Sequence, residues 1–540
     1  ATTYLKGNGT MAGKPAKVQA PIANSDCTRR EQPLILIRGF GGLGVEDEKR
    51  IAYQGFNDGT VYPQKRGENY IYEGLILRFM KSRWTYRDAT NVVGYYGSPA
   101  TANLKDLPPE VNHLDPTFFS GDKVVIDPAM AATLIKSGAD SLKTLWVFRY
   151  YDLNDRELVT YGKALVRLID FIQSISRDDK GTVPKVNIIA HSMGGLLVRE
   201  AIQRTFPASG RHAAEYINKI VTLGTPHRGI SFQILSNWIG ISAQDELDHF
   251  NPAFQEDAKN AASYKNFSKA FPPERILTVV GTNYRTYGPT AASWLNRLFS
   301  VAGEFGPNYN RSDGLVKHIS AQLPGAPRTF VHKCHGGPDS LVTSREAFEI
   351  ATRFFFGNIH VCLNLVEAEV TRGFDLIGKS ELFFGVAIKP RGVDFDLFHQ
   401  SAEAENCYGP FATPDFSDAD VAFDWAGKDR LIWEGWLDTT ARTTDLTDIV
   451  MRLDVYVGER DLFGLGFSDN VVFRKQYYIR GELGSDLTLK RLELYNGEEF
   501  RSDKPGLEMT KVSNGWTFDV LGTGFKATMR ISFREIPENG

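Results

Sequence analysis

The sequence predicts a parallel α/β domain followed by an all-β sandwich, and three observations carry that expectation. In the first two thirds, short and wholly apolar runs alternate with stretches of helical periodicity, as in a buried parallel sheet covered by helices on both faces. One such run, Val186-Asn187-Ile188-Ile189-Ala190, turns abruptly through His191-Ser192-Met193 into Gly194-Gly195 and a second apolar segment. In the last third helical periodicity vanishes, and apolar and polar residues alternate instead.

A chain of 540 residues implies two or three domains. With 42% hydrophobic and 24% charged residues, it has material for a large core. A formal net charge of −3 argues against nucleic acid as the main partner. No apolar run is long enough to predict a transmembrane segment, and no amino-terminal stretch has a signal peptide's basic and apolar regions. Because Ala1 rather than methionine comes first, a signal already removed is compatible with the sequence, as is a start at Met11 behind a tail. The compartment stays open, with secretion slightly favoured. Cys27, Cys334, Cys362 and Cys407 are too few and too scattered for a disulfide scaffold, and which of them could pair is left open.

Residues 1–30 are polar and aperiodic and read as a tail; 31–357 form the α/β domain and 358–540 the β-domain. Pro33-Leu34-Ile35-Leu36-Ile37 is the first buried strand, ending in Arg38-Gly39-Phe40-Gly41-Gly42. The next hundred residues are loop-rich, with aromatic packing around Tyr95 and Tyr96. Thr144–Phe148 is another strand, and Leu165, Leu168, Ile169 and Ile172 then recur at helical spacing. Further strands are expected at Ile220–Leu223, Ile276–Val280 and Thr329–Val331. A closing helix starts near Ser344, with Ala347, Phe348, Ala351 and Phe354 on one side. Beyond Asn358, Leu453–Val457, Trp516–Val520 and Phe525–Phe533 show strand alternation.

The turn at Ser192 has the layout of a nucleophile elbow, in which small neighbours let strand and helix approach a strained serine. A serine nucleophile needs a base and an acid that orients the base. Asp313, in Ser312-Asp313-Gly314-Leu315-Val316, supplies the acid, and His335, in the loop after the last strand, supplies the base. His332 is the rival base, but it lies closer to the strand, where packing is the commoner role. His191 reads as a packing residue under the loop, His227 as a brace after its strand, and His318 as a surface residue. Asp248 is a rival acid in a solvated charge run, and Asp339 would break the order serine, acid, histidine.

Together, the elbow, Arg38-Gly39-Phe40, Leu223-Gly224-Thr225-Pro226-His227 and the Asp313 turn resemble the bacterial true lipases of the α/β-hydrolase superfamily. That resemblance implies an α/β-hydrolase fold, with Ser192 as acyl nucleophile, Asp313 as orienting acid and His335 as general base. It also implies oxyanion donors at the backbone N–H groups of Phe40 and Met193. Two departures are Ala190 in place of the elbow's first glycine and Arg38 where the family usually has histidine. Phe232, Ile234, Leu235, Trp238, Ile239 and Ile241, and also Trp294, Leu295, Leu298, Phe299 and Phe305, are apolar insertions that suit a lid over a lipase site.

The β-domain resembles a C2-type sandwich around Leu365, Ala368, Asp375, Gly378-Lys379-Ser380-Glu381 and Trp433-Glu434-Gly435-Trp436. The resemblance implies calcium held by Asp375, Glu381, Glu459, Asp461 and Asp469. Glutamates replace two of the usual aspartates. The hydrolytic chemistry itself needs no cofactor. The expected function is a lipase or carboxylic ester hydrolase acting at a lipid–water interface, with acylglycerol first, phospholipid second and small or polyester substrates third. A lipid-binding protein with an inactive hydrolase domain is the alternative, and the oligomeric state is not specified.

Overall fold

The computed structural model describes residues 31–39, 74–89, 106–120, 126–138, 140–148, 157–176, 183–229, 249–250, 264–284, 312–336, 339–371, 380–393, 395–401, 404, 406–411, 430–439, 448–461, 470–484, 489–496 and 504–536. Strands β1 (Leu34–Ile37), β2 (Arg87–Asp88), β3 (Thr144–Phe148), β4 (Val186–His191), β5 (Ile217–Leu223), β6 (Ile276–Gly281) and β7 (Arg328–Val331) build one sheet. Its order is β2-β3-β1-β4-β5-β6-β7, and every neighbouring pair is parallel.

Apart from the two-residue β2, the strands divide their side chains between cores on the two faces, which is why these segments read as apolar runs. Ile35, Ile37, Ile188 and Ala190 face helices α3 (Leu158–Ile175) and α4 (Met193–Glu200). Leu34, Leu36, Ile189 and Val221 face α1 (Leu75–Lys81) and α5 (Arg345–Phe356) on the other side. The remaining long helix, α2 (Pro128–Lys136), starts at Asp127, whose carboxylate accepts from the N–H groups of Ala129 and Met130. Ser344 caps α5 in the same way by accepting from the N–H of Ala347.

After β1 the chain moves to one side of the sheet through β2 and β3, then crosses back to lay β4 on the other side of β1. The carboxyl ends of β1 and β4 therefore lie side by side at the topological switch point. Ser192 follows β4 at that place.

Beyond α5 every described pairing is antiparallel. One sheet contains β9 (Ser380–Pro390), β10 (Phe398–His399), β11 (Tyr408–Phe411), β13 (Asp448–Asp461), β14 (Asn470–Leu483), β15 (Leu489–Asn496) and β16 (Leu507–Glu508). The other contains β8 (Ile359–Val370), β12 (Leu431–Leu437), β17 (Thr510–Val512), β18 (Gly515–Gly522) and β19 (Phe525–Glu535). Val361, Leu363, Met529 and Ile531 of one sheet share a core with Val386, Leu453, Val455 and Ile479 of the other. A register shift in the β8–β19 pairing inserts an extra residue at Val366–Glu367, so that Leu365 and Ala368 both face this core.

That core does not stop at the β-sandwich, because Val280, Val316, Ala321 and Phe330 of the α/β part belong to it. Phe330 meets Phe398 at 5.6 Å, and Phe354 meets Trp436 edge-on at 4.6 Å. The Thr329 hydroxyl donates to the carbonyl of Leu397 at 3.0 Å. Here the structure corrects one expectation: His318 is not a surface residue but is buried beside Phe330.

Candidate active site

Ser192 sits between β4 and α4 with φ 53° and ψ −127°, a backbone conformation that L residues rarely adopt. Its N–H donates to the carbonyl of Leu223 at 2.9 Å, so β5 holds the turn from one side. Space explains the surrounding glycines. A Cβ on Gly194 would stand 2.7 Å from the carbonyl oxygen of Ile37, and one on Gly39 would stand 2.7 Å from Cβ of Ser192. Gly39, just after β1, therefore packs directly against Ser192.

His335 lies in the loop after β7, and its Nε2 is 2.9 Å from Oγ of Ser192. Its Nδ1 is 2.9 Å from Oδ2 of Asp313. The other oxygen of that carboxylate accepts from the N–H groups of Leu315 (3.1 Å) and Val316 (2.8 Å), while the His335 N–H donates to the Asp313 carbonyl. Acid and base are thus tied together through both side chain and backbone. All three residues are buried, with Ser192 the most accessible at 8%. This is the hydrogen-bond order that a serine-activating relay requires.

The neighbours explain how the loop is held. Cys334 donates its thiol towards the carbonyls of Gly336 and Asp339, and its N–H donates to the Asp339 carbonyl, closing the turn that presents His335. His191 packs against the His335 ring at 4.8 Å, and its Nε2 lies 2.9 Å from the His335 carbonyl oxygen. Burial first, and then the adjacent His335, hold the His191 pKa well below the usual imidazole value. A neutral His191 donates from Nε2 to that carbonyl. Gly224 has a positive φ of 55°, and a Cβ there would stand 2.9 Å from Oδ2 of Asp313 and 3.1 Å from Nδ1 of His335.

The other sequence-based candidates are elsewhere. His332 bonds through Nδ1 with the Thr282 hydroxyl at 3.1 Å, away from Ser192. His227 bonds through Nε2 with the Thr222 hydroxyl, and burial, followed by the charge of Arg199, lowers its pKa well below the usual value. Asp339 is paired with Lys333 at 2.6 Å. Met193 is the first residue of α4, so its N–H has no acceptor within the helix and belongs to the helix's positive end. Arg38 is buried at the end of β1, and its charge is among the influences that keep His191 neutral. Phe40, Asp248 and both apolar insertions lie outside the described residues. Sequence reasoning missed the parts played by Cys334, Gly224 and the His191–His335 contact. Only Gly224, within the Leu223–His227 motif, left a signal that could have found it.

Of the five expected calcium ligands, the structure describes the side chains of Glu381 and Glu459 only. Asp375 and Asp469 lie outside the described residues, as does the side chain of Asp461. Glu381 pairs with Arg460, whereas Glu459 pairs with Leu382, a core residue. Alternation along β9 and β13 therefore directs Glu381 and Glu459 to opposite faces of their sheet. Cys334, Cys362 and Cys407 form no disulfide with one another, and Cys27 lies outside the described residues.

Residues 144–269 match a family model described as a PGAP1-like alpha/beta domain, a span that contains Ser192 but neither Asp313 nor His335. No curated protein matches the chain. Among solved structures, it is similar to the mature lipase BlEst2 of Bacillus licheniformis at 23% identity, covering 38% of this chain and 77% of that one, with a TM-score of 0.24. Phospholipase PlaB of Legionella pneumophila aligns at 13% identity over 60% of this chain and 79% of its own, with a TM-score of 0.25. The lin2722 gene product of Listeria innocua aligns at 11% identity over 60% and 93%, with a TM-score of 0.29. The seven-stranded parallel sheet with its covering helices is an α/β-hydrolase fold, followed by antiparallel sheets.

Proposed function

We propose that this protein is a serine ester hydrolase of the lipase type, acting through an acyl-enzyme on Ser192. The observation that carries this reading is the relay of two 2.9 Å hydrogen bonds, Ser192 Oγ to His335 Nε2 and His335 Nδ1 to Asp313 Oδ2, at a strained strand-to-helix turn. His335 takes the serine proton as Oγ attacks the ester carbonyl carbon. Asp313 keeps the imidazole in the tautomer with Nε2 free to accept, and stabilises the imidazolium that forms.

The developing oxyanion receives hydrogen bonds from the N–H of Met193 and, by the lipase resemblance, from that of Phe40. As the tetrahedral species collapses, the alkoxide leaves with the proton from His335. Water, deprotonated by the same histidine, then releases the acid and restores Ser192. The chemistry needs no cofactor.

The substrate class rests on the sequence. The apolar insertions around Trp238 and Trp294 favour a long acyl chain, with acylglycerol as the leading ester and phospholipid the next. The β-sandwich would hold the enzyme at a lipid surface, in the manner of the C2-type domain it resembles. Fold alone does not choose among these esters.

A fluorophosphonate probe tests the chemistry. A single adduct on Ser192 of the folded protein is expected, absent from Ser192→Ala, together with a fall in kcat of at least about four orders of magnitude. Folded protein that takes no label on Ser192 would point to a lipid-binding scaffold instead. Hydrolysis rates against acyl length, below and above substrate solubility, then rank the esters.

A further inference from the structure

We propose that His360, Cys362 and Glu434 form a binding site for a zinc-class divalent transition metal, tying β8 to β12 at the root of the β-sandwich. His360 and Cys362 are two residues apart on β8 and so project from the same face, away from the core that Val361 and Leu363 occupy. Glu434 on β12 stands directly opposite Cys362 in the ladder. The donor atoms of all three lie within 4.8 Å of one another. Nε2 of His360 is 2.9 Å from the Glu434 carboxylate and 3.8 Å from Sγ of Cys362.

Bond lengths to zinc of about 2.0–2.3 Å at tetrahedral angles place neighbouring ligand atoms roughly 3.3–3.6 Å apart. The two measured separations lie on either side of that range, so a metal enters with shifts of a few tenths of an ångström. Imidazole, thiolate and carboxylate are a donor set for zinc or its neighbours, whereas calcium and magnesium take oxygen alone. Thiolate and carboxylate together bring two negative charges, which match a dication.

A second shell is also in place. The Trp436 ring lies 5.0 Å from that of His360, and Ser532 on β19 stands directly opposite Cys362 in the ladder. Three protein ligands leave one position for water or an exogenous ligand.

A cysteine–histidine–acid relay fits this geometry less well. In a relay the acid and the thiol use different ring nitrogens; here Glu434 meets Nε2 at 2.9 Å, while Sγ of Cys362 is almost equidistant from Nε2 (3.8 Å) and Nδ1 (3.9 Å) rather than directed at Nδ1. Convergence on one point is what a metal needs.

The test uses the full-length protein, stripped with a chelator and titrated with Zn²⁺ by calorimetry and with Co²⁺ by absorption. One equivalent is expected, with a thiolate-to-cobalt charge-transfer band in the near ultraviolet that is absent from Cys362→Ser. Cys362→Ser and Glu434→Gln should each weaken zinc binding at least about tenfold. In the unsubstituted protein, saturating Zn²⁺ should slow alkylation of Cys362, read by mass spectrometry, at least about tenfold; this arm needs no variant to fold. Failure to bind micromolar zinc, binding that both variants retain, or alkylation of Cys362 unaffected by the metal would each overturn the proposal. In that case His360 and Glu434 are an ordinary cross-strand pair.

Discussion

At the scale of single residues, the site is built from buried groups joined by hydrogen bonds. Asp313 is tied to His335 through side chain and backbone, so Asp313→Asn keeps the shape of the carboxylate but supports the wrong histidine tautomer. A loss of about four orders of magnitude in kcat is expected, with KM little changed, measurable on any chromogenic ester. His191 and His227 supply a second residue-level prediction. Both have pKa values lowered in the fold, so between those values and the unfolded value near 6.5 the unfolded chain binds more protons. Their contribution to stability is therefore complete above the unfolded pKa and lost as pH falls below it, at up to about 1.4 kcal/mol per pH unit for each histidine. Denaturant midpoints at pH 7.5 and 5.5 should differ accordingly, and His227→Gln should reduce the difference. A midpoint independent of pH across this window would contradict neutral burial. Ser192, Asp313 and His335 were legible because each lies in a short motif whose order is set by the fold. The His191–His335 contact was not, because it joins residues 144 positions apart through packing.

At the scale of elements, Arg199 on α4 ties the chain segments that leave and rejoin the sheet after β5. Its guanidinium donates to the carbonyls of His227 at 2.6 Å and Tyr264 at 2.8 Å, and it lies over the Phe250 ring. Phe250 and Tyr264 in turn stack at 3.8 Å. Burial lowers its pKa to about 9, so the side chain is still charged at neutral pH. Arg199→Met leaves two buried carbonyls without their donor and should cost about 2–4 kcal/mol in urea denaturation, with fluorophosphonate labelling retained at low denaturant. The buried strands of the parallel sheet were readable as apolar runs, whereas α1, α2 and β2 were not. These lie within loop-rich sequence, and β2 has only two residues, too few for any period to register.

For the whole molecule, the decisive feature is that the α/β part and the β-sandwich share apolar surface. Val280, Val316 and Phe330 face the β-sandwich core, and Phe354 packs on Trp436. Calorimetry should therefore record one cooperative transition rather than two, and Trp436→Ala should lower stability by about 3–5 kcal/mol without separating the halves. Two resolved transitions would show that the contact is too weak to couple them. By itself the sequence determined the two architectures, because side-chain period follows directly from helix and strand geometry. It also determined the nucleophile turn, because only small residues fit where strand and helix meet. Tertiary structure alone decided that His191 packs on His335, that His318 is buried, and that Glu381 and Glu459 face apart. It also brought His360, Cys362 and Glu434 together. Those outcomes depend on strand register and on contacts between distant segments, and no local pattern encodes either. The elbow could be read in ten residues; the relay that would make it reactive required the whole sheet.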